Sequence, residues 1–196
     1  MDIKNFKAVN TTITNENENV VRVVKSNKIY EYDENTYAKL NDCNFHNGTI
    51  KVKMLSRLLK DAPDFARGFI GIAFRISNQD DQFESFYVRP TNGRTCLDEV
   101  RKQHGCQYFS YPKYTFAYFR ENNITKYEAK VDIDLDEWIE LKAVIKDSKG
   151  MFYINNQLLL EVDDMKHGKD LRGSVGLFVD IGTEGFYRDL EIEYDD

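Results

Sequence analysis

The sequence predicts an all-β protein, a two-sheet antiparallel jelly-roll β-sandwich. Short segments of alternating apolar and polar residues recur along the chain, and Gly, Asn or Asp punctuates them. Only LDEVRKQH (97–104) has room for a short helix. A length of 196 residues, 41% of them hydrophobic and 13% aromatic, suffices to bury a sandwich core and argues against disorder. No period of 20–50 residues repeats and no Pro- or Ser-rich linker divides the chain, so residues 1–196 are expected to form one domain.

The expected strands run in order VVRVV (20–24), KIYEY (28–32), GTIKVKM (48–54), GFIGIAFRI (68–76), ESFYVR (84–89), YTFAYFR (114–120) and YEAKVDI (127–133). WIELKAVIK (138–146), MFYIN (151–155), LLLEV (158–162), GSVGLFVDI (173–181) and FYRDLEIEY (186–194) complete the series. The period of two divides each into faces. In GFIGIAFRI, Ile70, Ile72, Phe74 and Ile76 share the side expected to enter the core. Phe69, Gly71, Ala73 and Arg75 occupy the other. Phe86 and Val88 likewise oppose Ser85, Tyr87 and Arg89. Paired, these strands would display small residues edged by Arg and Tyr, either a seat for a flat polar ligand or a solvated sheet face.

The stretch most suggestive of catalysis is VDIDLDEW (131–138). Alternate residues on one strand face lie about 6.6 Å apart, within the range of carboxyl separations used by glycosidases. A general acid, however, needs burial or a close like charge to raise its pKa. Lys130 and Lys142 lie nearby in sequence, and Val131, Ile133 and Leu135 alternate with Asp132, Asp134 and Asp136. The run therefore reads as the wet face of a strand leading into a turn.

The formal net charge is −6 and no basic block follows a phosphate backbone, which argues against nucleic acid and anionic membranes as partners. No apolar run is long enough to span a bilayer, and the amino terminus has no apolar h-region. A cytoplasmic location is expected, or a secreted one if a leader was removed. Cys43, Cys96 and Cys106 match no metal or redox spacing; three free thiols are the simpler reading, with a Cys96–Cys106 bridge the alternative. His46, His104 and His167 are scattered without zinc-ligand spacing. NQDDQ (78–82) and VDDM (162–165) offer oxygens to calcium but lack an EF-hand pattern, so no cofactor is assigned and calcium stays an open possibility without a motif. No nucleophile elbow or phosphate-binding Gly loop is present.

The segment RPTNGR (89–94), followed by QYFSYPKY (107–114), carries the mixture that holds sugars. Arg89, Asn92 and Arg94 gather donors around a Gly turn, and Tyr108, Tyr111 and Tyr114 supply aromatic faces. A surface loop stapled down by Tyr packing is the competing interpretation.

The order GTIKVKM, GFIGIAFRI, FESFYVRPTNGR, QYFSYPKY, DEWIELKAVIKDSKGMFYINNQLLLEV, GSVGLFVDIGTEGFYRDLEI resembles the concanavalin A-like lectin/glucanase superfamily. It is similar in particular to the laminin-G-like jelly-roll domains related to sugar hydrolases. The resemblance spans about Phe45 to Tyr194 and rests most on Trp138 opening a strand, the Asn155-Asn156 hairpin turn and the closing FYRDLEI strand. It implies one concave sheet with a carbohydrate on that face or its rim. The ligand-binding candidates it favours are Arg75, Tyr87, Arg89, Asn92, Arg94, Tyr111 and Tyr114. The E-x-D-x-x-E motif of family 16-type glucanases is missing; Asp132-x-Asp134-x-x-Glu137 puts Asp where the nucleophilic Glu would stand. A carbohydrate-binding module without chemistry is therefore expected, with no catalytic residue assigned. The alternatives are a glycoside hydrolase or lyase drawing an acid from Asp180, Glu184 or Asp189, and a protein–protein module. Oligomeric state is left open.

Overall fold

The computed structural model describes residues 1–195. Fourteen strands form two seven-stranded sheets, and every recorded strand pair is antiparallel. The first sheet contains β1 (Phe6–Val9), β4 (Tyr37–Leu40), β13 (Ser174–Val179), β6 (Ile70–Ile76), β7 (Phe83–Val88), β8 (Cys106–Tyr111) and β9 (Glu128–Ala129), in that spatial order. The second contains β12 (Gln157–Val162), β11 (Lys149–Ile154), β10 (Ile139–Lys146), β5 (Gly48–Leu58), β14 (Thr183–Tyr194), β3 (Val20–Lys25) and β2 (Thr11–Asn17). This is the jelly-roll sandwich the alternating pattern predicts. Asn155 and Asn156 both have left-handed φ, 51° and 65°, the requirement of the two-residue turn that joins β11 to β12.

The alternation also fixes the core. Along β5 and β10 every second residue is buried, so Ile50, Val52 and Met54 face inward with Leu141, Ala143 and Ile145. Phe86 of the first sheet stacks on Phe152 of the second at 4.5 Å and 7°. Phe74 packs beside them at 6.1 Å. Burying each such ring is worth about 1.5–3 kcal/mol. Tyr187 crosses the core and donates its hydroxyl hydrogen to the carbonyls of Gly71 and Phe178 in the first sheet.

Three expected strands take other forms. KIYEY (28–32) is irregular, opening on a turn closed by Ile29 N–H to the Ser26 carbonyl and leading into Asp33 at a left-handed φ of 54°. YTFAYFR (114–120) contains a helix, α2 (Phe116–Glu121). Thr115 caps it by accepting the Tyr118 N–H, and Phe116 and Phe119 share a face at helical spacing, a period the alternating letters concealed. In YEAKVDI only Glu128–Ala129 pairs. Conversely QYFSYPKY is not a loop at its start: its first five residues lie in β8. The expected helix at 97–104 is present as α1 (Glu99–Lys102), capped by Asp98.

The two faces of the first sheet are both filled. Opposite the inter-sheet core, Tyr87 packs on Phe178 (5.6 Å), Phe109 (5.8 Å) and Phe69 (5.9 Å), while Phe83 packs on Tyr37 (5.2 Å) and Phe109 (5.7 Å). The cover is the 26–36 segment with α2: Tyr32 meets Phe69 at 5.5 Å and Phe116 at 5.1 Å. Neither a solvated sheet face nor an open seat survives there, because the chain itself occupies the aromatic floor.

Candidate functional site

The expected ligand residues do not form one group. Arg75 is fully buried at a left-handed φ of 52°, where the β6–β13 register shifts, and its guanidinium donates to the carbonyls of His46 (2.8 Å) and Gly168 (3.2 Å) and to Asn47 Oδ1 (3.1 Å). Tyr111 stacks on Phe83 at 4.9 Å and donates to Glu34 Oε2 at 3.0 Å; burial and the Glu34 charge push its phenol up to about 12. Tyr114 packs edge-on against Tyr118 at 5.1 Å.

Arg94 belongs to the acidic run. Its Nε donates to Asp132 Oδ1 at 3.0 Å, and Nη1 and Nη2 donate to the two Glu137 oxygens at 3.2 and 3.3 Å. Asp134 accepts from Thr95 Oγ1, and Arg57 pairs with Asp136. Val131 and Ile133 point in and Asp132 points out, as the alternation predicts, but the stretch carries no sheet pairing and ends in a turn at Asp136, φ 61°. These are exposed ion pairs, screened by solvent and worth little to stability. Asp132→Asn is accordingly expected to change urea-unfolding stability by less than about 1 kcal/mol; a loss above about 2 kcal/mol would mean the run holds the fold.

Arg89 and Asn92 do converge, lining a pocket of about 370 Å³ at the edge of the cover, with Tyr87 fully buried behind Arg89. Arg89 is only 3% exposed. It donates to Tyr87 Oη (3.0 Å) and the His104 carbonyl (3.2 Å), meets Glu128 at 3.5 Å, and lies over the rings of Tyr87 and Phe116. Burial opposes its charge, yet Tyr87, Glu128 and Asp33 hold its pKa above the usual guanidinium value. Asn92, in the turn Pro90–Asn92 after β7, donates to the His104 carbonyl and accepts from Arg101 Nε at 3.0 Å.

Residues from three further segments complete the walls. Arg67 precedes β6, Arg101 lies on α1 and Arg120 on α2, with its guanidinium over Phe116 at 4.9 Å. Burial, then the charges of Arg101 and Arg89, lower the Arg67 pKa, so the cations are close enough to feel one another. Tyr32, Phe69 and Phe116 supply rings, and Phe65 stands at the mouth, 46% exposed. The three arginines did not signal themselves in the sequence, because each arrives from a different segment.

Below Tyr32 lies a buried polar layer. Asp180 accepts from Lys25 Nζ (2.7 Å) and from the backbone N–H groups of Asp33 (3.0 Å) and Ile181 (2.7 Å). Asp33 Oδ2 accepts the Phe116 N–H at 2.7 Å, while its Oδ1 has no hydrogen-bond partner. Burial and the Asp180 charge raise the Asp33 carboxyl to about 7, against the Phe116 hydrogen bond and the Arg89 charge. Of the other acids considered for catalysis, Glu184 pairs with Arg22 and Asp189 with Lys53.

Among the described residues no group of three or more His, Cys, Asp and Glu could hold a metal ion, and no helix is long and apolar enough to cross a membrane. Cys43, Cys96 and Cys106 are free thiols.

No protein-family model and no curated protein sequence matches the chain. Solved structures do resemble it. Carbohydrate-binding module CBM66 from Bacillus subtilis matches over 95% of this chain and 93% of its own, at 13% identity and a TM-score of 0.59. A protein from Parabacteroides distasonis provisionally assigned as a glycosyl hydrolase matches over 100% and 90%, at 15% identity and a TM-score of 0.60. A Bacillus subtilis protein of unknown function with a galectin-like fold matches over 97% and 89%, at 13% identity and a TM-score of 0.58. Identity this low speaks to architecture rather than activity. The chain shares with these structures the two-sheet antiparallel jelly-roll fold.

Proposed function

We propose that the protein is a carbohydrate-binding module that takes its glycan in the pocket between the first sheet, α1 and α2, without chemistry of its own. One observation carries this reading: forked donors from Arg67, Arg101 and Asn92 line a cavity whose mouth exposes the ring of Phe65. Aromatic faces meet the C–H side of a pyranose, and fixed donors select its hydroxyls because a mismatched ligand leaves them unpaired. The fold adds support by analogy, since one structural neighbour is a carbohydrate-binding module. The non-catalytic reading is supported by Asp33, whose raised-pKa carboxyl is fully enclosed and does not line the pocket.

Calorimetric titration with mono- and oligosaccharides, with calcium and with EDTA, tests the proposal. Saturable, calcium-independent binding is expected. Phe65→Ala should weaken it by about 1–2 kcal/mol while leaving the unfolding midpoint unchanged, because the ring is a half-exposed anchor. A flat response to every sugar, with a stable dimer in solution, would replace this reading with protein recognition. Product released from a glycoside would replace it with a hydrolase.

A further inference from the structure

We infer that the sugar bound in this pocket carries an acidic substituent, a carboxylate or sulfate, clasped between Arg67 and Arg101. The inference rests on the proposed function and adds to it the chemical class of the ligand.

The argument is one of charge accounting in an otherwise acidic protein. The chain has a net charge of −6, yet four arginines and His104 line this one cavity. Glu128 lies against three of these groups: His104 hydrogen-bonds one carboxylate oxygen, and Arg89 and Arg120 each come within 3.5 Å of the other, which makes no hydrogen bond. Asp180 is held by Lys25 beneath Tyr32, and Asp33 is enclosed beside it. Among the described residues no carboxylate pairs with Arg67 or Arg101.

Their hydrogen bonds confirm this. Arg67 donates only through Nη1, to the carbonyls of Asp64 (2.8 Å) and Ala66 (3.0 Å). Its Nε and Nη2 groups, the edge that grips a carboxylate with two parallel bonds, have no protein acceptor among the described residues. Arg101 donates Nε to Asn92 Oδ1 and Nη2 to Thr91 Oγ1 (3.2 Å), leaving Nη1 unengaged. Both guanidiniums are thus held in place by neutral acceptors with donors to spare. Holding like charges together is unfavourable unless an anion joins them, and the free fork of Arg67 beside the free Nη1 of Arg101 avoids the entropic cost of organising donors for one. The neighbouring rings of Tyr32, Phe65 and Phe116 require that the anion be attached to something with an apolar face, which a sugar acid has and a free inorganic ion lacks.

The test compares matched pairs differing only in charge: oligogalacturonides with their methyl esters, and chondroitin sulfate oligosaccharides with desulfated ones, titrated calorimetrically alongside neutral oligosaccharides. The acidic member of at least one pair should bind at least about tenfold more tightly than its neutral counterpart. Raising NaCl from about 50 to about 500 mM should weaken it several-fold. Arg67→Gln and Arg101→Gln should each lower that affinity by about tenfold or more; Arg67→Gln should do so without lowering the unfolding midpoint, whereas Arg101→Gln also removes a donor from the buried Asn92 and is read against its own midpoint. Which pair responds separates carboxylate from sulfate. Equal binding of charged and neutral members would overturn the inference and leave the carbohydrate reading standing. Acid-selective binding unchanged in both variants would overturn it by placing the site elsewhere, and no binding in any arm would remove both readings.

Discussion

Replacing Lys25 by Met is expected to cost about 3–5 kcal/mol of folding stability, measured by urea unfolding near pH 7. Lys25 is 7% exposed and Asp180 is fully buried, with Nζ 2.7 Å from Oδ1. Methionine replaces the length of the side chain and deletes its charge, so the loss isolates what happens when a buried carboxylate has no counter-ion. The double variant Lys25→Met/Asp180→Asn should recover more than half of the loss. Asparagine carries no charge to strand and keeps one oxygen for the N–H of Asp33 or of Ile181, which Oδ2 and Oδ1 of Asp180 now accept separately, so the recovery is incomplete. A double variant no better than the single one would show that the pair matters for packing rather than charge. The consequence reaches the site, because Lys25 also donates to the Glu31 carbonyl and so ties down the segment that carries Tyr32 over the first sheet. Glycan affinity in Lys25→Met should therefore fall together with stability.

The strands of the second sheet were legible because β5 and β10 bury one face and announce it by alternation, while β6, β7 and β13, buried on both faces, read as short apolar runs between turn residues. What was illegible obeys a different rule. The 26–36 segment and α2 do not bury one face against a sheet pair; they lie across a second face of the first sheet, and their conformations answer to that floor. KIYEY alternates like a strand, yet its path is set by Asp33 reaching both Asp180 and the Phe116 amide. YTFAYFR reads as a strand until Thr115 is recognised as a cap. The pocket suffered most, because it is built where those two misread segments meet α1 and the residues before β6. Arg89 and Asn92 could be grouped from the sequence because they share a short loop with a Gly turn. Arg67, Arg101 and Arg120 are separated by at least 19 positions in sequence and become neighbours only when the cover closes. Arg75 was misleading for a related reason: the alternation places it on the aromatic face, but its left-handed backbone turns the side chain into the 46–47 and 168 loops.

Asp33→Asn is expected to stabilise the protein above neutral pH by about 1–3 kcal/mol and to leave it nearly unchanged at pH 4. The sign follows from the direction of the shift. Burial and the Asp180 charge raise the folded carboxyl to about 7 from an ordinary value of 3.8, so between those limits the native state holds a proton that the unfolded chain has released. Stability contributed by this group is therefore present at low pH and is lost as pH rises from about 4 to about 7. At roughly 1.4 kcal/mol per unit over some three units, ionisation costs about 4 kcal/mol. Asparagine mimics the protonated acid in shape, keeps an oxygen for the Phe116 N–H and cannot ionise. Its amide hydrogens enter the space where Asp33 Oδ1 has no partner, which returns part of the gain. The measurement is the difference in urea-unfolding free energy between variant and wild type at several pH values from 4 to 8. Taking the difference cancels other titrating groups, among them Glu84, whose pKa burial also raises. A difference that grows through the window identifies Asp33 as an acid retained at a cost to stability beneath the floor of the pocket. A flat or falling difference would place its native pKa at or below the ordinary carboxylate value and remove that cost.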